Sequence, residues 1–146
     1  GSTRLCFAGT VGKDPAVGGM ALLGISLNQE ALPPTGAFEP PIFLYTPNTS
    51  TSKVYYRLTN NGSSRILLQI EDDSGTASGR WCVDVSSKTT GTVNYSDFNT
   101  LCWSPGATTT TYYAGRPIKD IDIYIPGDAL KDVSYDVCLE EIGEVI

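Results

Sequence analysis

No histidine occurs among the 146 residues of the chain. That absence alone removes much catalytic chemistry, because a Ser/His/Asp relay, a Cys/His pair and an H-E-x-x-H metal helix all require imidazole. Clustered basic residues are missing too. Lys and Arg number 10 against 16 Asp and Glu, a net charge of −6, and the cations are scattered along the chain. A phosphate backbone needs a continuous basic track, so neither nucleic acid nor an anionic membrane surface is an expected partner. Apolar runs are short and broken by polar or turn residues, which excludes a membrane-spanning helix. No signal-peptide pattern opens the sequence. Gly1 and Ser2 read as foreign to the natural start, and a removed secretory leader upstream of them is expected.

Closely spaced cysteine pairs are also lacking. Cys6, Cys82, Cys102 and Cys138 contain no C-x-x-C, and without histidine neither a Cys-only nor a mixed zinc site has its usual spacing. An even set of this kind points to two disulfides and an oxidising, extracellular compartment. Cys82 and Cys102, each beside a tryptophan in "RWC" and "LCW", are close enough in sequence for a local bridge. That leaves Cys6 with Cys138, joining the first strand to the last. The other pairings stay open at this level.

Amphipathic helices are absent: no segment of helical length keeps an apolar stripe at a period of 3.6. Thr, Val, Ile and Tyr are abundant instead, and Gly and Pro punctuate the chain at short intervals. Strands are expected in "RLCFAGTV", "GMALLGISLNQ", "KVYYRLTN", "SRILLQIED", "GRWCVDVS", "KDIDIYIPG" and "VSYDVCLEEI", with weaker ones around "PIFLYT" and "TVNYSDF". About eight short strands in one domain indicate an all-β sandwich of two antiparallel sheets. One domain over residues 1–146 suits a chain of this length, and a monomer is expected. The proline-rich "EALPPTGAFEPP" reads as a long loop.

Alternation assigns faces. Ile66, Leu68 and Ile70 fall on one side of their strand and Leu67, Gln69 and Glu71 on the other. Likewise Ile121, Ile123 and Ile125 oppose Asp120, Asp122 and Tyr124. If Cys82 turns inward to form its bridge, Trp81 points the other way, beside Gln69 and Glu71. The sequence thus offers a ligand face of Gln69, Glu71, Trp81, Asp122 and Tyr124, in which the indole stacks on a sugar ring while acids and amide order its hydroxyls. The competing reading of Trp81 is a half-buried packing residue. A loop carrying Trp103, Tyr112 and Tyr113 projects over the same face. Asp14, Asp136, Glu140 and Glu141 form a candidate oxygen shell for a structural calcium. Acids for a glycosidase pair exist in Glu71, Asp72, Asp73, Asp120 and Asp122, but nothing in the sequence desolvates one of them, so an enzyme is not expected.

The succession "SGRWCVDV", "VNYSDFNTLCW", a loop, "GRPIKDIDIYIPGD" and "SYDVCLEEI" resembles the galactose-binding-domain-like jelly rolls that serve as non-catalytic carbohydrate-binding modules of secreted bacterial polysaccharide-degrading enzymes. The resemblance implies a five-stranded sheet facing a shorter one, frequently a calcium near the chain ends, and glycan binding on a sheet face or in the loops at its edge. Carried onto this chain, the loop mode selects Asn28, Gln29, Trp103, Tyr112 and Tyr113, and the sheet mode selects Gln69, Glu71, Trp81, Asp122 and Tyr124. The Pro-rich insertion around Phe38 and Tyr45 departs from the pattern and would reshape or block the site. The implied ligand is a plant cell-wall polysaccharide to which an attached catalytic domain is targeted. A neutral β-linked chain such as β-glucan, xyloglucan or β-mannan suits a protein of net charge −6 better than a polyuronate does. A protein-binding adhesion or surface-assembly domain is the alternative on the same architecture.

Overall fold

Alternating apolar side chains make sense only if each strand buries one face, and the computed structural model arranges the strands accordingly in two facing sheets. It describes residues 4–16, 18–27, 44–102 and 107–146. Eight strands are present among them: β1 (Leu5–Val11), β2 (Met20–Ser26), β3 (Lys53–Asn60), β4 (Leu67–Glu71), β5 (Arg80–Asp84), β6 (Thr90–Asn94), β7 (Asp120–Pro126) and β8 (Val133–Val145). Two single turns of 3-10 helix, Ala77–Gly79 and Tyr95–Asp97, are the only helical pieces among the described residues. No helix there is long and apolar enough to cross a membrane.

One sheet has the order β1-β8-β3-β6 and the other β2-β7-β4-β5, and every pairing is antiparallel. Among the described residues the fold is an all-β sandwich of two antiparallel four-stranded sheets, where the resemblance implied a five-stranded sheet facing a shorter one. Val54, Tyr56 and Leu58 of β3 and Val137 and Leu139 of β8 form one side of the core. They face Leu68 and Ile70 of β4 and Ile121, Ile123 and Ile125 of β7, all buried. Phe98, Tyr95 and Ile118, from the connections, complete it. The weak strand expected around "TVNYSDF" is β6 running into the second 3-10 turn. The first half of the segment "PIFLYT", residues 41–43, lies outside the described residues, and in the second half Tyr45 contributes a single antiparallel bridge to Ile118.

A register shift interrupts the β3–β8 ladder. Leu58 pairs with Leu139 but Arg57 pairs with Glu141, so Glu140 is an extra residue in β8. Such a bulge reverses which side chains face inward. Before it, the odd-numbered Val137 and Leu139 point into the core; after it, Ile142 and Glu144 lie opposite the inward-facing Tyr56 and Val54. An acid is thereby aimed at the inter-sheet space at one end of the sandwich.

Both disulfides expected from the sequence are present, Cys6–Cys138 and Cys82–Cys102, and no cysteine is free. The first joins residues already paired across β1 and β8. In the chain-entropy model, closing its loop of 132 residues stabilises by roughly 5 kcal/mol, against roughly 3 kcal/mol for the 20-residue loop of the second. Replacing Cys6 and Cys138 together by Ala should therefore destabilise more than replacing Cys82 and Cys102. Urea unfolding of the two double variants measures this, and an equal or reversed order would show that folded-state packing around the bridges outweighs loop closure.

Candidate functional site

β4 occupies the centre of its sheet and is buried along all five residues. Its neighbours decide where the expected ligand-face residues stand. Gln69 lies opposite Asp122 on β7 and Cys82 on β5; Glu71 lies opposite Asp120 and Arg80; Leu67 lies opposite Tyr124. Gln69, Glu71, Asp122 and Tyr124 thus share the face turned away from the core, as alternation indicated. Trp81 does not join them. It pairs with Ile70, which pairs in turn with Ile121, and this row faces the core.

The error lies in the side taken by Cys82. Cys82 points outward, and the Asn99 segment leading to its partner Cys102 bonds to it in both directions, Cys82 N to Asn99 O at 2.8 Å and Asn99 N to Cys82 O at 3.0 Å. The bridge is made on the outer side of the sheet edge, and Trp81 takes the inner position. Only 3 % of Trp81 is exposed. Its ring meets Tyr113 edge-on at 5.2 Å, and the Arg116 guanidinium lies 5.8 Å from its centroid. Tyr113 is buried, its phenol donating to the carbonyl of Arg116 and pushed upward in pKa by that burial. Tyr112 is 55 % exposed. Trp103, Asn28, Gln29 and Phe38 lie outside the described residues.

On the outer face the polar groups are largely engaged with one another. Gln69 Nε2 donates to Asp122 Oδ2 at 2.7 Å, and Arg80 donates to both Glu71 oxygens at 3.0 and 3.2 Å. Lys119 Nζ lies 3.3 Å from Asp120 Oδ2. Gly24 sits across from Asp122, and a Cβ there would come within 3.1 Å of Asp122 Oδ1. Burial pushes Asp122 up to about 6; the neighbouring Asp120 and Glu71 add to the rise, and the Gln69 and Arg80 contacts oppose it.

The calcium expectation is corrected. Among the described residues no group of three or more Asp, Glu, Cys or His side chains is placed to hold a metal ion. Asp14 accepts bonds from the backbone N–H groups of Ala16 and Gly18 in its own turn. Asp136 accepts from the Asn61 amide, while Glu140 and Glu141 both pair with Arg57. Asp136 and Glu141 stand five residues apart on β8, about 16 Å in an extended strand. Ordinary local partners, rather than a shared ion, account for all four.

An apolar concavity lies elsewhere. A cleft of about 290 Å³ opens at the end of the sandwich between Ile25 and Leu27 on one side and Ile142 and Glu144 on the other. Its opening follows from strand lengths. β8 runs to Val145, but β1 accompanies it only as far as Leu139, and β2 in the facing sheet stops at Ser26. Ile121 and Tyr95 line the interior and Tyr45 the rim. Tyr45 is anchored by two backbone bonds with Ile118, each 2.8 Å, and its hydroxyl donates to Glu144 Oε2. Tyr95 stacks on Phe98 at 6.3 Å and touches Tyr113 at 6.0 Å, so the cleft leads to the same aromatic cluster that holds Trp81. Partial desolvation raises the Glu144 carboxyl above its ordinary value. An apolar recess with aromatic rings and a few convergent polar atoms is the usual form of a small-ligand site.

Comparison of the chain with protein-family models, with curated proteins and with solved structures gives no match. Sequence reasoning passed over Ile25, Leu27, Tyr95, Ile142 and Glu144. The signal was present in "VCLEEIGEV": the apolar step from Val137 to Leu139 is two residues and the next, to Ile142, is three, which marks a bulge and a change of face.

Two outcomes check this placement. Trp81→Ala should cost about 3 to 5 kcal/mol in unfolding free energy, as for a core aromatic; a nearly unchanged melt would return the indole to the surface. Asp122 holds its proton up to about pH 6 when folded, against an ordinary value of 3.8. Its contribution is complete below the unfolded value and lost as pH rises through 6. Asp122→Asn, which keeps an acceptor for Gln69, should stabilise by about 1 to 3 kcal/mol at pH 8, with the gain gone by about pH 4. Chemical unfolding at the two pH values tests it, and destabilisation at pH 8 would contradict it.

Proposed function

We propose that this domain is a non-catalytic carbohydrate-binding module that holds a neutral β-linked polysaccharide, of the β-glucan, xyloglucan or β-mannan kind, and brings an attached secreted enzyme to it. The observation that carries the reading is the end cleft, in which two tyrosines and one carboxylate converge between aliphatic walls. A sugar ring has the matching duality. Its C–H face packs on Tyr and Ile surfaces, and its hydroxyls donate to Glu144 and exchange bonds with the Tyr45 phenol. The Tyr45–Glu144 bond already holds the pair in position, which lowers the ordering cost of binding.

Charge supports a neutral ligand. Glu144 sits at the cleft in a chain of net charge −6, so a polyuronate would meet like charge. The two disulfides agree with an oxidising extracellular setting. Of the residues expected to touch glycan, Tyr112 and Tyr124 retain exposed surface, and they would extend contact beyond the cleft. The buried Gln69, Glu71 and Asp122 would act by fixing the sheet beneath.

Titration calorimetry with soluble β-glucan, xyloglucan and β-mannan oligosaccharides tests the reading. Tyr45→Ala should weaken binding about thirtyfold, the effect of losing roughly 2 kcal/mol at an aromatic contact. Glu144→Gln should weaken it about tenfold or more by removing a charged acceptor, with the thermal melt little changed. Failure of every glycan to bind, or full binding by both variants, would contradict it.

A further inference from the structure

One lateral side of the sandwich is left bare. β1 and β2 are the outermost strands of their sheets there, and neither holds a charged residue among its side chains. An unpaired row of backbone N–H and C=O groups is a template for another strand, so edges are ordinarily blunted by charge, proline, a bulge or a covering segment. The opposite side follows that rule. There β5 carries Arg80 and Asp84 and is bridged at Cys82 by Asn99, and β6 is only five residues long.

β1 departs from it in two ways. Five of its seven residues are exposed and only Val11 is buried, yet the Cys6–Cys138 bridge pins the strand to β8. Leu5 and Phe7 share the inward parity of Val11, but Leu5 is 52 % exposed and Phe7 half-buried. Across the gap between the sheets Ala21 and Leu23 of β2 are likewise half-buried. The apolar seam between the sheets therefore runs out to solvent along this side.

We propose that this side is the interface of a two-fold dimer, in which β1 pairs antiparallel with β1 of a second copy, β2 approaches its own counterpart, and both sheets continue from one copy into the other. The sequence of β1 suits itself as a partner. With Ala8 on the axis, Leu5 falls opposite Val11 of the second copy, Cys6 opposite Thr10 and Phe7 opposite Gly9. Aliphatic ends then meet, a ring covers a glycine, and no charge opposes a like charge. The net charge of −6 is no obstacle, because the nearest acids on β8, Asp136 and Glu140, stand one strand back and are held by Asn61 and Arg57.

The two edges also share an axis. Gly19 lies against Val11, where a Cβ on the glycine would stand 3.1 Å from Val11 Cγ1. Three residues back from Val11 is Ala8, and three or four on from Gly19 are Leu22 and Leu23, so each strand reaches its midpoint about 10 to 13 Å from that contact. One axis perpendicular to the sheets thus passes close to both midpoints. A free peptide would satisfy one edge and leave the seam open, whereas a second copy brings two edges at the matching spacing and covers Leu5, Phe7 and Leu23. A two-fold pairing is closed, so it stops at two copies. The dimer stands in place of the monomer expected from chain length, and it is independent of the carbohydrate reading.

The experiment is sedimentation velocity on the intact chain across a concentration series, with Ala8→Lys, Ala8→Cys and, on the β6 edge, Thr92→Lys. The wild type and Thr92→Lys should move with rising concentration from the 15.6 kDa chain mass to twice that value. Ala8→Lys sets two ammonium groups face to face on the axis and should weaken dimerisation about a hundredfold, with an unchanged circular-dichroism spectrum showing that the domain still folds. Residues directly opposite across an antiparallel pair lie about 4.5 to 5.5 Å apart, within disulfide reach, so Ala8→Cys should run as a covalent dimer on a non-reducing gel, with the link at position 8 by peptide mapping. A wild type that stays at the chain mass at every concentration would overturn the proposal. So would growth beyond two copies, or a dimer dissolved by Thr92→Lys and indifferent to Ala8→Lys. A dimer that meets these expectations upholds it whether or not any glycan binds.

Discussion

The pleat of β4 is the constraint on which the rest of this molecule depends. Five consecutive residues in the middle of a sheet are all buried, and their alternation leaves one choice: Leu68 and Ile70 face the other sheet, while Leu67, Gln69 and Glu71 face away. A slip of one residue would put an amide and a carboxylate in the aliphatic core, at several kcal/mol for each unpaired group. Pairing then transmits the choice to both neighbours. Asp122 and Asp120 on β7, and Cys82 and Arg80 on β5, must stand outside with Gln69 and Glu71. Trp81 must stand inside with Ile70. The outer disulfide and the inner aromatic cluster are two consequences of the same register.

Much of this was legible in the sequence. The alternation in "SRILLQIED" and "KDIDIYIPG" located two strands and correctly sorted their faces, because each carries isoleucines or leucines on one parity and acids on the other. Cysteine count and sequence proximity favoured the observed pairing, Cys82 with Cys102 and Cys6 with Cys138, while leaving the other pairings open. What failed was the step from Cys82 to Trp81, which assumed that a cysteine in a disulfide turns toward the core. Here the Asn99 segment crosses the sheet edge and offers Cys102 from outside, a tertiary arrangement with no local trace in "RWC". The calcium shell failed for a related reason: Asp14, Asp136, Glu140 and Glu141 are near in type and strand but point to separate partners, which only contacts reveal. The cleft was legible in part, through the broken apolar spacing of β8, but its depth depends on where β1 and β2 stop.

These observations shift attention from the sheet faces to the ends of the sandwich. The inner faces are occupied by aliphatic and aromatic packing, and the outer face of the β4 sheet by a polar network that includes a buried aspartate, a glutamine and an arginine-bound glutamate. At the ends, strands of unequal length leave side chains only partly covered. The cleft end collects Tyr45, Tyr95 and Glu144 with aliphatic walls. The bulge at Glu140 is the small irregularity that connects fold to chemistry, since without it Glu144 would face away from the cleft.

The most direct test of the proposal that glycan recognition sits at the cleft end and not on the β4 sheet face is residue-resolved. Amide and tyrosine-ring NMR signals should be followed while xyloglucan oligosaccharide is added to the intact domain. The shifts should concentrate at Ile25, Leu27, Tyr45, Ile142 and Glu144, with the Trp81 indole signal little moved. Shifts concentrated on Gln69, Glu71, Asp122 and Tyr124, with the cleft residues unmoved, would contradict it.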